Sequence, residues 1–349
     1  MAEYTSFIPI DVITGFLGSG KTTLLRRLLM APDMADVAVL VNEFGEVGLD
    51  HHLISRADES TVLLDNGCLC CALREDINDT LRDLFSRRER GEIPRFRRVV
   101  IETSGLADPV PIAFTLISEP VLQHHFRLGA IVTVIDAVNG AAQLAEFPES
   151  VKQAAVADRI VLTKTDLADA PTISTLRERL RHLNRSASLS DAASPDFDPA
   201  GLLAEDGPDR RKPPEWLAAA TGPEGAEIHA EHTHGVSSFC LTFDDALDWT
   251  AFGIWMSMLL NRHGDRVLRF KGMLDVRGVP DPVLINGVQH IVHPPMHLEA
   301  WPDGERRSRL IFIVKDMDRA PIEHSLATFN ALANPSSGIE RAPRRTVAG

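Results

Sequence analysis

Between Pro9 and about Asp166, short apolar runs rich in β-branched residues alternate with stretches of helical periodicity. The runs at Ile10 to Thr14, Val37 to Asn42, Thr61 to Leu64, Arg98 to Glu102, Ala130 to Asp136 and Arg159 to Lys164 read as strands. They are continuous rather than alternating in polarity, as strands buried on both faces are. Strands separated by helices predict an α/β fold, a mostly parallel sheet covered by helices. The helix opened by Lys21 is amphipathic, with Leu24, Leu25, Leu28 and Leu29 on one face.

After about Leu183 the pattern breaks into Ser, Asp, Ala, Pro and Gly, which predicts the end of a first domain near Glu205 and a flexible linker to about Gly235. Regular patterning then resumes. A strand at Ser237 to Thr242, a helix around Ala246 to Asn261, strands at Val267 to Val276, Val283 to Val292 and Arg309 to Val314, and a helix at Ile322 to Leu332 predict a smaller α+β domain. The expected organisation is therefore a domain over 8–205, a linker over 206–235, a second domain over 236–332 and a disordered tail over 333–349.

Composition narrows the function. With 36 Lys and Arg against 49 Asp and Glu, the chain of 349 residues carries a formal charge of −13, which disfavours nucleic acid and anionic membranes as partners. The arginines of SRRERGEIPRFRR are interrupted by Glu89 and Glu92 and read as a solvated helix end and loop. No stretch has the length of a membrane-spanning helix and the first residues do not resemble a signal peptide, so a cytoplasmic location is expected. Three of the four cysteines fall at Cys68, Cys70 and Cys71, which points to metal or thiol chemistry rather than a disulfide framework; Cys240 reads as core.

Gly15-Phe16-Leu17-Gly18-Ser19-Gly20-Lys21-Thr22 satisfies G-x-x-x-x-G-K-[ST] directly between a strand and a helix. Glycines let successive amide hydrogens and the positive end of the helix surround a phosphate, Lys21 reaches the β and γ phosphates, and Thr22 ligates magnesium; Ser19 and Thr23 complete the nucleotide contacts. At the carboxyl end of a later strand, Thr163-Lys164-Thr165-Asp166 offers Asp166 as an acceptor for the N1 and N2 donors of guanine, with Lys164 along the base. Thr163 departs from the usual Asn of this element.

Glu102-Thr103-Ser104-Gly105 follows a strand at the position where P-loop enzymes place an acidic residue for magnesium or water and a glycine amide for the γ-phosphate. Lys21, Glu102 and Gly105 are the expected catalytic group. Asn42 to Asp50 forms a polar loop, in which Asp50 is a candidate magnesium contact. In Asn66-Gly67-Cys68-Leu69-Cys70-Cys71, expected between a strand ending near Leu64 and a helix starting near Leu73, soft thiolates suit a transition metal. With no second cysteine pair the set is incomplete, as befits a transferable metal, and Glu46, a histidine, water or a partner could complete it. His229, His232 and His234 offer either a weak loading site or a plain linker.

Taken in order, TGFLGSGKTTLL, NEFGEVGLD, NGCLCC, ETSGLADP and TKTDL, with RVLRFKGMLDVRG and INGVQH, resemble the CobW family of P-loop GTPases over about residues 8–330. The resemblance implies GTP hydrolysis with Mg2+, and a metallochaperone whose cysteine motif is coupled to nucleotide state. The cargo expected of the thiolates is Zn2+ or Co2+, with Ni2+ or Fe2+ behind; the resemblance implies a client metalloprotein or cofactor-biosynthesis enzyme as partner, and the chain is expected to be a monomer or weak homodimer. Where some relatives carry a further glutamate this chain has Val41, and its linker keeps only three histidines, so metal identity does not carry over from a relative. Two alternatives stand beside this expectation: a P-loop kinase of a small molecule, and a GTP-gated client-binding module with structural cysteines.

Overall fold

A computed structural model describes residues 7–31, 34, 36–41, 54–58, 61–64, 69–72, 77–203, 213–214, 216–217, 234–302 and 304–333, those of 54–72 and 116–118 by their backbone alone. In chain order the first half comprises β1 (Ile8–Thr14), α1 (Lys21–Leu29), β2 (Val37–Val41), β3 (Ile54–Asp58), β4 (Thr61–Leu64), β5 (Leu69–Ala72), α2 (Ile77–Arg90), β6 (Arg98–Glu102) and α3 (Val110–Ser118). It continues through β7 (Phe126–Asp136), α4 (Gly140–Glu146), α5 (Pro148–Val156), β8 (Arg159–Thr163), α6 (Ala170–Leu183) and β9 (Ser188–Asp191).

These strands form one nine-stranded sheet in the order β3-β4-β5-β2-β6-β1-β7-β8-β9. Neighbours from β5 to β9 are parallel, and β3 and β4 join antiparallel at the edge. Both faces are covered, which is why the strands read as unbroken apolar runs. Ala38 and Leu40 of β2 pack into a core with Leu81 and Leu84 of α2, Ala113 of α3, Val151 of α5 and Leu176 of α6. The alternate residues Val37, Val39 and Val41 pack on the opposite side with Leu24, Leu25 and Leu28 of α1. Truncating a fully buried leucine such as Leu25 to alanine would cost about 2–5 kcal/mol. Because β1 sits between β6 and β7, the direction of strand succession reverses there, and a crevice opens at its carboxyl end.

The second half comprises β10 (Val236–Phe243), α7 (Trp249–His263), β11 (Val267–Leu274), β12 (Val283–Val288), β13 (Ile291–Val292), β14 (Met296–His297), β15 (Ser308–Lys315) and α8 (Arg319–Ala333). Its sheet runs β10-β15-β11-β12-β13 with β14 beside β12, and every pairing is antiparallel. Phe252, Trp255 and Met256 of α7 and Ile322 and Leu326 of α8 close a core over Phe239, Phe270 and Phe312. Asp248 starts α7 by accepting the Ala251 amide at 2.9 Å. Leu268, Val288, Ile291 and Ile313 instead join the core of the first half, so the second sheet packs onto α3, α5 and α6.

Several elements differ from the sequence expectation. Leu69 to Ala72, expected in a turn, is a strand inserted between β2 and β4; the helix start expected near Leu73 lies outside the described residues, which resume with α2 at Ile77. The apolar run Val283 to Val292 is two strands, because Gln289 adopts a positive φ of 50° and turns the chain between them. Strand β9 lies in a stretch too polar to read as one; it is held by parallel pairing to β8. Inside the expected linker, Leu217 is buried against Met273, Leu284, Leu298 and Ile311. Arg98, expected in a solvated cluster, donates from β6 to the fully buried Asp11 of β1 at 2.5 Å. Cys240 is partly buried, packed beside the Leu217 cluster, and burial raises its pKa. Among the described residues no helix is long and apolar enough to cross a membrane.

Candidate nucleotide and metal site

The sheet delivers the chemistry to one edge. β1 ends into Gly15–Thr22, β6 into Thr103–Gly105, β7 at Asp136, β8 into Lys164–Asp166 and β9 at Asp191, all at carboxyl ends of parallel strands. Gly15 has a φ of 142°, and a Cβ there would lie 2.2 Å from the Val134 carbonyl oxygen, so the loop can leave β1 only with glycine at this position. Gly18 and Gly20 also have positive φ, and Gly20 is the residue from which α1 starts. The buried hydroxyl of Ser19 has no hydrogen-bond partner among the described residues. A buried oxygen so placed, among amides at the start of a helix, fits a phosphate group.

Lys21 is buried and donates to the carbonyls of Gly15 at 3.0 Å and Phe16 at 3.2 Å, arching back over the loop it follows. Thr22 donates its hydroxyl to Oε1 of Glu102 at 2.7 Å. Two oxygens from the loop helix and from β6 thereby meet at one point, the donor set a magnesium ion uses. Thr23, one residue on, is exposed.

Gly105 lies against the loop from the other side. A Cβ there would come within 2.6 Å of both the amide nitrogen and the Cδ2 of Leu17. The segment is fixed from below by α5: Gln153 donates to the carbonyls of Gly105 at 3.2 Å and Ala107 at 3.0 Å, and Lys152 pairs with Asp108 at 2.5 Å. Thr103 donates to the hydroxyl of Thr14 at 2.9 Å, joining the ends of β6 and β1.

The end of β8 carries Lys164, a non-glycine residue at φ 56°. That conformation is held by two bonds from its ammonium, to the Gly18 carbonyl at 2.8 Å and to Oδ2 of Asp136 at 2.7 Å. Burial pushes the Asp136 carboxyl pKa up, but hydrogen bonds from Lys164, from the Asn139 side chain and from the Val138 and Asn139 amides outweigh it and hold the group below its ordinary value. Asp166 stands exposed on the short helical turn Thr165–Leu167. Its neighbour Thr165 donates to Asp191 at 2.7 Å, and Asp191 also receives Arg177 at 2.9 Å, which ties the loops after β8 and β9 together. Asp136 and Asp191 are absent from the sequence expectation. Asp136 was accessible to it, as an acid ending an apolar run; Asp191 was not, because β9 carries no apolar pattern.

Of the expected metal residues, Cys70 and Cys71 lie on β5, in register with Val39 and Leu40 of β2. β2 in turn registers Leu40 with Ile101 and Val41 with Glu102 of β6. One row of the sheet thus runs Cys71, Leu40, Ile101, Val12, and the next runs Ala72, Val41, Glu102, Ile13. With strands about 4.8 Å apart, the Cys71 and Ile101 backbones are about 10 Å apart. Cys68, Glu46 and Asp50 lie outside the described residues, as do His229 and His232. His234 has its Nε2 3.0 Å from the Ala145 carbonyl.

Comparison with known proteins agrees with this geometry. The family model described as CobW/HypB/UreG, nucleotide-binding domain, matches residues 9–191, and that of the cobalamin synthesis protein cobW C-terminal domain matches residues 236–330. The zinc chaperone YjiA of Escherichia coli (strain K12) is 36% identical over 306 residues, covering 88% of this chain and 93% of that one. The zinc chaperone CobW of a Sinorhizobium species is 30% identical over 356 residues, covering 91% and 96%. A crystal structure of Zn(II)-bound YjiA GTPase from E. coli superposes with a TM-score of 0.71 at 33% identity, covering 93% of this chain and 99% of that one. The chain belongs to the CobW family, with both the nucleotide-binding domain and the CobW-type C-terminal domain in place.

Proposed function

We propose that this protein is a GTP-hydrolysing metallochaperone that carries zinc, or failing that cobalt, to a client metalloprotein or cofactor-biosynthesis enzyme. Relatives are named zinc chaperones, and one solved relative is a Zn(II)-bound GTPase. The observation that carries the reading is the register of the sheet: Cys70 and Cys71 sit on a strand separated from the Glu102 strand by β2 alone. A shift at the phosphate end of β6 then has a single intervening strand to cross to the cysteine motif, within a packed core that transmits strain.

Within this proposal Lys21 and the Gly105 amide meet the γ-phosphate, and Thr22 with Glu102 holds magnesium, which supplies charge neutralisation of the phosphates. Gly15, Gly18, Ser19, Gly20 and Thr23 line the phosphates; Thr163, Lys164 and Asp166 select guanine. Cys68, Cys70, Cys71 and Glu46 ligate the cargo, and Asp50 joins the magnesium shell when GTP is bound. Residues 8–205 act as the GTPase domain and 236–332 as the client-facing domain of a cytoplasmic monomer or weak homodimer.

Phosphate release from GTP without any added acceptor separates a GTPase from a small-molecule kinase. Steady release that is lost with ATP supports the proposal, and turnover only on addition of a second substrate contradicts it. Cys70→Ser should abolish delivery of zinc to a client; unimpaired delivery would favour the client-binding module with structural cysteines.

A further inference from the structure

The carboxyl end of α5 is unusual in how its backbone is satisfied. The last four carbonyls of a helix have no partner within it and normally face water or a cap. Here the Gln153 carbonyl accepts the Thr133 hydroxyl of β7 at 2.7 Å. The carbonyls of Ala154 and Ala155, and that of Ala157 just beyond, accept the Asn184 side-chain amide at 2.9, 3.1 and 2.9 Å. The Val156 carbonyl accepts Nη1 of Arg269, which comes from β11 in the C-terminal domain. Thr133, Asn184 and Arg269 are all buried. A short helix clamped by side chains from three elements has little freedom to fray.

Arg269 is itself held. Its other Nη pairs with Asp158, two residues past the end of α5, and lies 3.3 Å from the Asn286 side-chain oxygen of β12. Lys271 of β11 reaches the same Asp158 oxygen at 3.2 Å and the Ser186 carbonyl at 3.2 Å. Asp158 Oδ2 accepts the Ile131 amide at 3.1 Å. The middle of the same helix holds the segment after β6, through Gln153 to Gly105 and Ala107 and through Lys152 to Asp108.

We propose that α5 is a strut through which the C-terminal domain sets the position of the Gly105–Asp108 segment, with Gln153 and Lys152 as positioning residues on its middle turn and Arg269 as the anchor at its carboxyl end. The inference rests on Gly105 reading the γ-phosphate and goes beyond it. A client engaging the C-terminal domain would change GTP turnover without touching nucleotide, and GTP would change the C-terminal sheet, since coupling between sites is reciprocal. The side-chain amide of Gln153 bonds two carbonyls of the segment, so its removal leaves both without that donor.

The test uses the full-length chain. Gln153→Met, which keeps length and removes both hydrogen bonds, should lower kcat for GTP about tenfold with KM changed less than about twofold, the worth of two neutral hydrogen bonds made where the γ-phosphate is read. Lys152→Ala should lower kcat in the same direction and Lys152→Arg restore it. Hydrogen exchange of the wild-type protein with a non-hydrolysable GTP analogue against GDP gives an independent measure that needs no variant: protection should change in residues 103–109 and also in β11. Exchange differences confined to the first domain, or unchanged kcat in Gln153→Met and Lys152→Ala, would overturn the strut. A wild-type chain that neither binds nor hydrolyses GTP would instead overturn the function on which the strut rests.

Discussion

Thr163 donates its hydroxyl to the main-chain carbonyl of Ser19 at 2.6 Å. The residue that makes Thr163–Asp166 irregular as a base-reading element by sequence is therefore the one that ties the segment to the glycine-rich loop. Lys164 adds a second tie from the same segment, to Gly18, so the segment after β8 and the glycine-rich loop are held at a fixed spacing. Such preorganisation lowers the ordering cost of binding.

Asp166 is exposed beside this segment, and the proposed function has it face the base. Asp166→Asn exchanges an acceptor for a donor against guanine N1 and N2. Removing a charged acceptor from paired donors should cost about 1.5–3 kcal/mol, or roughly 10- to 150-fold in GTP affinity. Affinity for xanthosine triphosphate, which presents an oxygen in place of the 2-amino group, should rise. Calorimetric titration with both nucleotides checks this; parallel losses for both would show that Asp166 does not read the base.

Lys21 forms its bonds to Gly15 and Phe16 through an ammonium that a phosphate would attract more strongly. Lys21→Met should therefore weaken GTP binding more than GDP binding and reduce hydrolysis at least about a hundredfold, the scale on which one electrostatic stabiliser of a transition state acts. Equal effects on the two nucleotides would place Lys21 away from the γ-phosphate.

Gly105→Ala probes the approach of the β6 segment to the loop. Its Cβ would lie 2.6 Å from the Leu17 nitrogen and 2.8 Å from the Leu17 Cα, which are backbone atoms that cannot swing aside. The segment must shift outward, so kcat should fall about tenfold or more while the domain remains folded. Wild-type turnover in this variant, measured by phosphate release, would remove Gly105 from the site.

The charged contact between the domains makes its own prediction. Burial, with Arg269, Lys271 and Arg127 nearby, pushes the His293 pKa down to about 4 against the pull of Asp158. A histidine with a folded pKa below its unfolded value near 6.5 contributes full stability above that value and loses it as pH falls toward 4. The melting-temperature advantage of the wild type over His293→Gln should therefore shrink between pH 6.5 and 4. Asp158, held below the carboxylate range by Arg269 and Lys271 despite its burial, loses its contribution only at lower pH. A difference between the two proteins that is constant across the window would contradict the assignment.

The phosphate loop and its strand were legible because buried parallel strands are continuous apolar runs and the glycine spacing fits only a tight anion-binding turn. Glu102 and Lys164 followed from their position at strand ends. What sequence hid was pairing between distant segments. Leu-Cys-Cys-Ala has neither length nor alternation enough to announce a strand, and becomes one only because β2 and β4 supply partners on both sides. Arg269 and Lys271 alternate with Leu268 and Phe270, a pattern that reads as a solvent-facing strand. Both are buried instead, because the face they occupy meets Asp158 of the other domain.

The claim on which the function depends is that the cysteine strand and the phosphate-reading strand act on each other through β2. It is tested by anaerobic titration of Zn(II) and Co(II) into the full-length protein with magnesium, once with a non-hydrolysable GTP analogue and once with GDP. Coupling energies between sites are typically 1–3 kcal/mol, so the metal dissociation constants should differ by roughly 5- to 150-fold between the two nucleotide states, and the difference should vanish in Cys70→Ser. Equal metal affinity with GTP analogue and GDP would contradict the account.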